Sequence, residues 1–89
     1  MKLVFSDHAW EDYLWWQQPG REKGLERVNS LIKEARRQPF AGIGKPEPLK
    51  GDLTGWWSRR IADDHRFVYR VSGKGEVQSL EIAQLRYHY

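Results

Sequence analysis

The sequence predicts an α+β fold: two N-terminal helices packed on one face of a mainly antiparallel twisted sheet, in the order β-α-α-β-β-β. Three observations predict it. Residues 7–37 carry two stretches of helical apolar periodicity separated by Pro19-Gly20. Residues 56–87 instead alternate with the two-residue period of strands, interrupted by polar turns. Between them, residues 39–55 hold three prolines and four glycines and read as loop.

Lys2 to Phe5 is a short apolar strand, and Ser6 has the chemistry of a helix N-cap, with Asp7 favoured in the first turn by the helix dipole. Phe5 and Trp10 have the spacing of a hydrophobic staple. The first helix runs from Asp7 to about Gln18. Ala9, Trp10, Tyr13, Leu14 and Trp16 form its broad apolar face, while Trp15 falls nearly opposite and is a candidate partner contact. The second helix, about Arg21 to Arg37, carries a stripe of Leu25, Val28, Leu31, Ile32 and Ala35. Early glutamates and a terminal Arg36-Arg37 match its dipole, and Pro39 stops it.

Strands are expected over Trp56–Ala62 and Arg66–Val71, joined by an Asp63-Asp64 turn. In the second, Phe67, Tyr69 and Val71 share one face, and Arg66, Val68 and Arg70 the other. After a turn at residues 72–75, a long strand is expected from Val77 to Tyr87. Its apolar parity changes from Leu80 and Ile82 to Leu85 and Tyr87, which predicts a bulge near Ala83-Gln84. The helices leave one sheet face free, and that face carries arginines.

Eighty-nine residues are enough for one domain, residues 1–89, with one core. The absence of cysteine excludes a disulfide framework, a cysteine zinc site and a thiol nucleophile. Twelve aromatics, five of them Trp, supply burial instead. No apolar run reaches the length of a membrane span and no signal-peptide core is present, so a soluble cytoplasmic protein with no membrane partner is expected. The net charge of +3 is uneven. Residues 36–72 hold eight basic and four acidic side chains, so an anionic partner would meet the middle of the chain.

The candidate acid–base groups are few. His8, in a first helical turn, reads as solvated, and His65, in the Asp-Asp-His turn, as structural. His88 lies in the terminal Arg86-Tyr87-His88-Tyr89, whose tyrosines call for burial and hydrogen bonds. Glu47 stands between Pro46 and Pro48, which hold its backbone away from helix and aim its side chain. Each of Glu47, Arg66 and His88 alone has an ordinary structural reading. Together they match the needs of RNA cleavage by internal transesterification. One group takes the 2′-OH proton, another protonates the departing 5′-oxygen, and a cation stabilises the phosphorane, all without a metal or other cofactor.

Three segments carry a family likeness: Gly44-Lys45-Pro46-Glu47-Pro48-Leu49-Lys50, then Gly55-Trp56-Trp57-Ser58-Arg59-Arg60-Ile61, then His65-Arg66-Phe67-Val68-Tyr69. With the terminal Arg86-Tyr87-His88-Tyr89, they resemble the YoeB/Txe family of bacterial toxins in the RelE/ParE superfamily. The resemblance covers the whole chain. It implies a RelE-like fold similar to microbial ribonucleases, and a ribosome-dependent endonuclease that cuts mRNA in the ribosomal A site. The product would carry a 2′,3′-cyclic phosphate, and a YefM-type antitoxin would hold the toxin inactive. Homodimers occur in the family. By position, Glu47 resembles the general base, His88 the general acid, Arg66 the residue that stabilises the scissile phosphate, and Tyr89 a substrate-positioning tyrosine. Lys50, Arg59 and Arg60 fall in its basic, RNA-facing part. Ile43 departs from the pattern, standing where some relatives carry a basic residue.

Two other functions fit the same scaffold: a ParE-like toxin that binds a protein target without hydrolysis, and a passive RNA-binding module. A pure binder needs no acid and base, and most aromatics here follow core periodicity rather than forming a stacking platform.

Overall fold

A computed structural model of the chain describes residues 1–88. Its elements are β1 (Lys2–Phe5), α1 (Asp7–Trp16), α2 (Glu22–Arg37), β2 (Glu47–Pro48), β3 (Trp57–Ala62), β4 (His65–Ser72) and β5 (Ser79–Gln84). They form a five-stranded sheet in the order β1-β5-β4-β3-β2. The sheet is mixed: β1 runs parallel to β5, and the other three pairings are antiparallel. The order therefore gains a strand over the sequence expectation, because Glu47–Pro48 joins the edge of β3. An edge position tolerates the missing N–H of Pro48.

Ser6 makes two bonds that tie helix to sheet. Its hydroxyl oxygen accepts the Ala9 N–H at 3.0 Å, capping α1, and its O–H donates to the Ala83 carbonyl at 3.0 Å. Ala83 is the bulge. Tyr69 pairs with Ile82 and Val68 with Gln84, which leaves Ala83 without a partner residue. The extra residue switches parity, so Leu80, Ile82 and then Leu85 are all buried. The sheet ends sooner than the alternation implied: Gly75–Val77 is a 3₁₀ turn, and the chain leaves the ladder after Gln84.

The core lies between the helices and one sheet face. Val28, Leu31, Ile32 and Ala35 of α2 are buried, as the periodicity requires. Trp16 of α1 joins them because α2 offers Gly24 beneath its ring. A Cβ at Gly24 would come within 2.1 Å of the Trp16 ring, so only glycine admits that contact.

The face that α1 buries differs from the hydropathy pattern. Ala9, Asp12 and Trp16 are buried, whereas Trp10 and Leu14 are exposed. Asp12 reads as polar in sequence, yet its burial is compensated by a hydrogen bond from the Leu85 N–H. Trp15 is partly buried against the core and contacts arginines of its own chain.

Candidate active site

The register of β2, β3 and β4 assigns each charged residue to a face. Glu47 pairs with Ser58, Ser58 with Val68, and Arg60 with Arg66. Directly paired residues share a face, and so do residues two apart in one strand. Glu47, Ser58, Arg60 and Arg66 therefore stand together on the face the helices leave free. Arg59, one residue out of phase, points the other way.

That phase overturns the expectation that Arg59 faces RNA. Arg59 is fully buried. Its Nε donates to the Tyr69 hydroxyl at 3.0 Å, Nη1 to the Ile43 carbonyl at 2.9 Å, and Nη2 to the carbonyls of Gln38 and Ala41. Gln38 follows α2 directly, and the negative end of the helix dipole favours a cation there. Burial holds the Tyr69 phenol above its ordinary pKa, against the opposing pull of Arg59. The protonated hydroxyl thus accepts from Arg59 while donating to the Pro39 carbonyl. This network ties the stretch after α2 to the sheet.

The loop that follows is laced onto β3. The Arg60 N–H donates to the Gly44 carbonyl at 2.7 Å, and the Leu49 N–H to the Trp56 carbonyl at 2.8 Å. Gly44 lies so close to α2 and β3 that a Cβ would come within 2.6 Å of Leu31 and 3.1 Å of Arg59. Lys45 follows with φ of 56°, a left-handed conformation rare for a residue with a side chain. Pro46 then returns the chain to the extended course that places Glu47 opposite Ser58.

Arg66 is oriented by its own turn. Its Nη1 donates to the carbonyls of Ala62, Asp63 and His65 at 2.7–3.2 Å. Among the described residues its Nε and Nη2 have no acceptor and can be presented to an anion. Arg60 is exposed on the partner strand, so two guanidinium side chains occupy directly opposed positions. Like charges so placed disfavour the sheet unless an anion lies between or beside them.

His88 reaches the same place by a chain of anchors. Leu85 is fully buried; its N–H donates to Asp12 Oδ2 at 2.9 Å and its carbonyl accepts from Trp16 Nε1 at 2.8 Å. The Tyr87 N–H donates to His65 Nδ1 at 2.8 Å, and the Tyr87 carbonyl accepts from the Arg66 N–H at 3.2 Å. Gln84 Nε2 adds bonds to the carbonyls of Arg86 and Tyr87. His65, read as structural, is an anchor of this segment.

The outcome is a cleft of about 290 Å³ lined by Lys45, Glu47, Ser58, Arg60, Arg66 and His88. Every lining side chain is polar: three cations, a carboxylate, an imidazole and a hydroxyl. The structure brings together Glu47, Arg66 and His88, with Arg60 beside them. Lys50 is exposed beyond the buried Leu49 and is not among the residues lining the cleft. Tyr89 lies outside the described residues. Lys45 and Ser58 were not picked out from sequence. Ser58 could have been, since it precedes Arg60 by two on an alternating strand, whereas the direction of Lys45 depends on its left-handed backbone. Among the described residues, no group of three or more His, Asp or Glu is placed to hold a metal ion. Among the described residues, no helix is long and apolar enough to cross a membrane.

Fold and cleft together define a small α+β protein with a cationic site containing one carboxylate and one imidazole, the class in which bacterial toxins of similar structure fall. The YoeB/ParE toxin from Agrobacterium tumefaciens superposes with a TM-score of 0.93 at 57% identity, covering 100% of both chains. Toxin YoeB of Escherichia coli strain K12 is 52% identical over 89 residues, 100% of each chain. YoeB from Staphylococcus aureus, solved as a dimer and in complex with YefM, matches with a TM-score of 0.85 at 42% identity, covering 100% of this chain and 98% of the other. The family model for the YoeB-like toxin of bacterial type II toxin-antitoxin systems matches residues 5–89. The chain belongs to that family.

Proposed function

We propose that this toxin is a ribosome-dependent mRNA endonuclease that cleaves in the A site by acid–base transesterification. The observation that carries the reading is the shared cleft of Glu47, Arg60, Arg66 and His88. Glu47, exposed on its proline-braced strand, takes the 2′-OH proton. The freed oxygen attacks the adjacent phosphorus. Arg66 and Arg60 bind the non-bridging oxygens as negative charge accumulates in the phosphorane, which the paired guanidiniums stabilise more than the ground state. His88 gives its proton to the departing 5′-oxygen, and the products are a 2′,3′-cyclic phosphate and a 5′-hydroxyl. No step calls for a metal. Tyr89 and Lys50 complete the substrate contacts, with the ribosome supplying the mRNA in a fixed conformation.

We also infer a YefM-type antitoxin as the partner that silences the toxin in the cytoplasm, supported by the YefM complex of the S. aureus relative. The dimer of that relative supports homodimerisation here. A ParE-like binder of a protein target has no use for the acid and base that line the cleft.

The test is to map mRNA ends after incubation with programmed ribosomes. The expected result is a cut within the A-site codon, a cyclic phosphate terminus, and no cut when the nucleotide 5′ to the bond is 2′-deoxy. Cleavage of the 2′-deoxy substrate would exclude transesterification, and intact mRNA would exclude the nuclease.

A further inference from the structure

Beside the cleft, Arg21, Trp15, Arg86 and Tyr87 form a stack. The Arg21 guanidinium lies 3.8 Å from the Trp15 ring centroid, and that of Arg86 lies 4.0 Å from the same ring and 4.6 Å from the Tyr87 ring. Neither arginine has a carboxylate partner among the described residues. Arg21 donates to Gln18 Oε1 at 2.8 Å, and Arg86 donates to the Tyr87 hydroxyl at 2.7 Å. Arg86 Nε is buried with no acceptor. The stack thus carries two positive charges that no carboxylate of the described residues neutralises.

Tyr87 sits at its outer end. The ring was expected to be buried, yet the residue is 56% exposed. It is nevertheless fixed. His65 Nδ1 holds its N–H, Arg66 and Gln84 hold its carbonyl, and Arg86 holds its hydroxyl. Its φ of 59° is left-handed, a conformation maintained only by such surroundings. A largely exposed aromatic ring held rigid, beside a guanidinium with no carboxylate partner among the described residues, offers stacking and cationic attraction to a planar group attached to an anion. A nucleotide has that chemistry. Tyr87 also adjoins His88 in the chain and is bonded through its carbonyl to Arg66, two residues of the cleft.

We propose that Tyr87, backed by Arg86, is a shelf on which the base of a nucleotide flanking the cleaved bond stacks. The proposal rests on the RNA-cleaving reading. The experiment compares wild type, Tyr87→Leu and Tyr87→Phe on programmed ribosomes, using intact mRNA and mRNA with an abasic nucleotide on either side of the cut. On intact mRNA, Tyr87→Leu should lower kcat/KM by about tenfold, the scale of one lost stacking contact. Tyr87→Phe should remain close to wild type. On the abasic substrate that removes the stacked base, the gap between Tyr87→Leu and wild type should close. A gap of equal size on every substrate would overturn the shelf, since it would show that the ring serves the protein alone. A loss in Tyr87→Phe matching that in Tyr87→Leu would also overturn it. Failure of wild type to cut any substrate would instead refute the nuclease reading and the shelf with it.

Discussion

The buried carboxylate of Asp12, in the first helix, accepts the N–H of Leu85 at 2.9 Å, three residues before His88. A residue far from the cleft thereby fixes where the imidazole stands. Asp12→Ala leaves the Leu85 N–H buried and unpaired, at a cost of about 1–3 kcal/mol. Urea unfolding should show that loss, and cleavage should fall further than the unfolded fraction explains. Asp12→Asn keeps an acceptor oxygen and should recover most of both. Equal activity per folded molecule in Asp12→Ala would remove the anchoring role.

Arg59 and Arg60 are neighbours in sequence with opposite tasks. Arg59→Met deprives a phenol and three carbonyls of their donor and should destabilise by about 3 kcal/mol or more. Arg60→Ala relieves the repulsion with Arg66, so stability should hold or rise by up to about 1 kcal/mol. Its cleavage rate should fall about 10²-fold. Chemical denaturation beside single-turnover cleavage separates the two, and an unstable Arg60→Ala would contradict the assignment of faces.

Most of the fold was legible: the α2 stripe and the bulge at Ala83 follow from hydropathy periodicity, and the helix ends from the Ser6 cap, Pro19-Gly20 and Pro39. Asp12 was not legible, since its burial depends on a backbone group 73 positions away. Arg59 was misread because the family resemblance grouped it with Lys50 and Arg60 as RNA-facing. The alternation that puts Trp57 and Ile61 on the core side already put Arg59 with them. The convergence of Glu47 and His88 could not be read from residues alone, because it depends on β2 pairing with β3 and on the anchored terminal segment.

Glu81 gives a pH signature of the outer sheet. Its carboxylate accepts from Arg70 Nε and from the Ser72 hydroxyl, at 3.0 Å, and these bonds, Arg70 first, hold its pKa below the ordinary 4.5. A lowered folded pKa contributes stability above the unfolded value and loses it as pH falls through the folded one. Glu81→Gln should thus be less stable than wild type near neutrality, by under about 1 kcal/mol for a partly exposed pair. The difference should shrink as pH falls below the ordinary 4.5 and vanish only once pH lies below the lowered folded value. Thermal melts across that range check it, and a gap that widens toward acid would reverse the sign.

Lys45 combines a strained backbone with a place in the cleft. Lys45→Gly removes the left-handed strain and the cation together. The melting temperature should hold or rise while kcat/KM falls, a split that a purely structural lysine would not give. Parallel melts and cleavage assays decide it.

The central claim is that His88 protonates the departing 5′-oxygen while Glu47 acts on the 2′-OH of the same bond. A substrate with sulfur in place of the bridging 5′-oxygen tests it most directly, because a thiolate leaves without a proton. Cleavage of this substrate by His88→Gln should return toward the wild-type rate, while Glu47→Ala should remain slow. A His88→Gln variant that stays as slow on sulfur as on oxygen, or a Glu47→Ala variant rescued equally, would contradict the account.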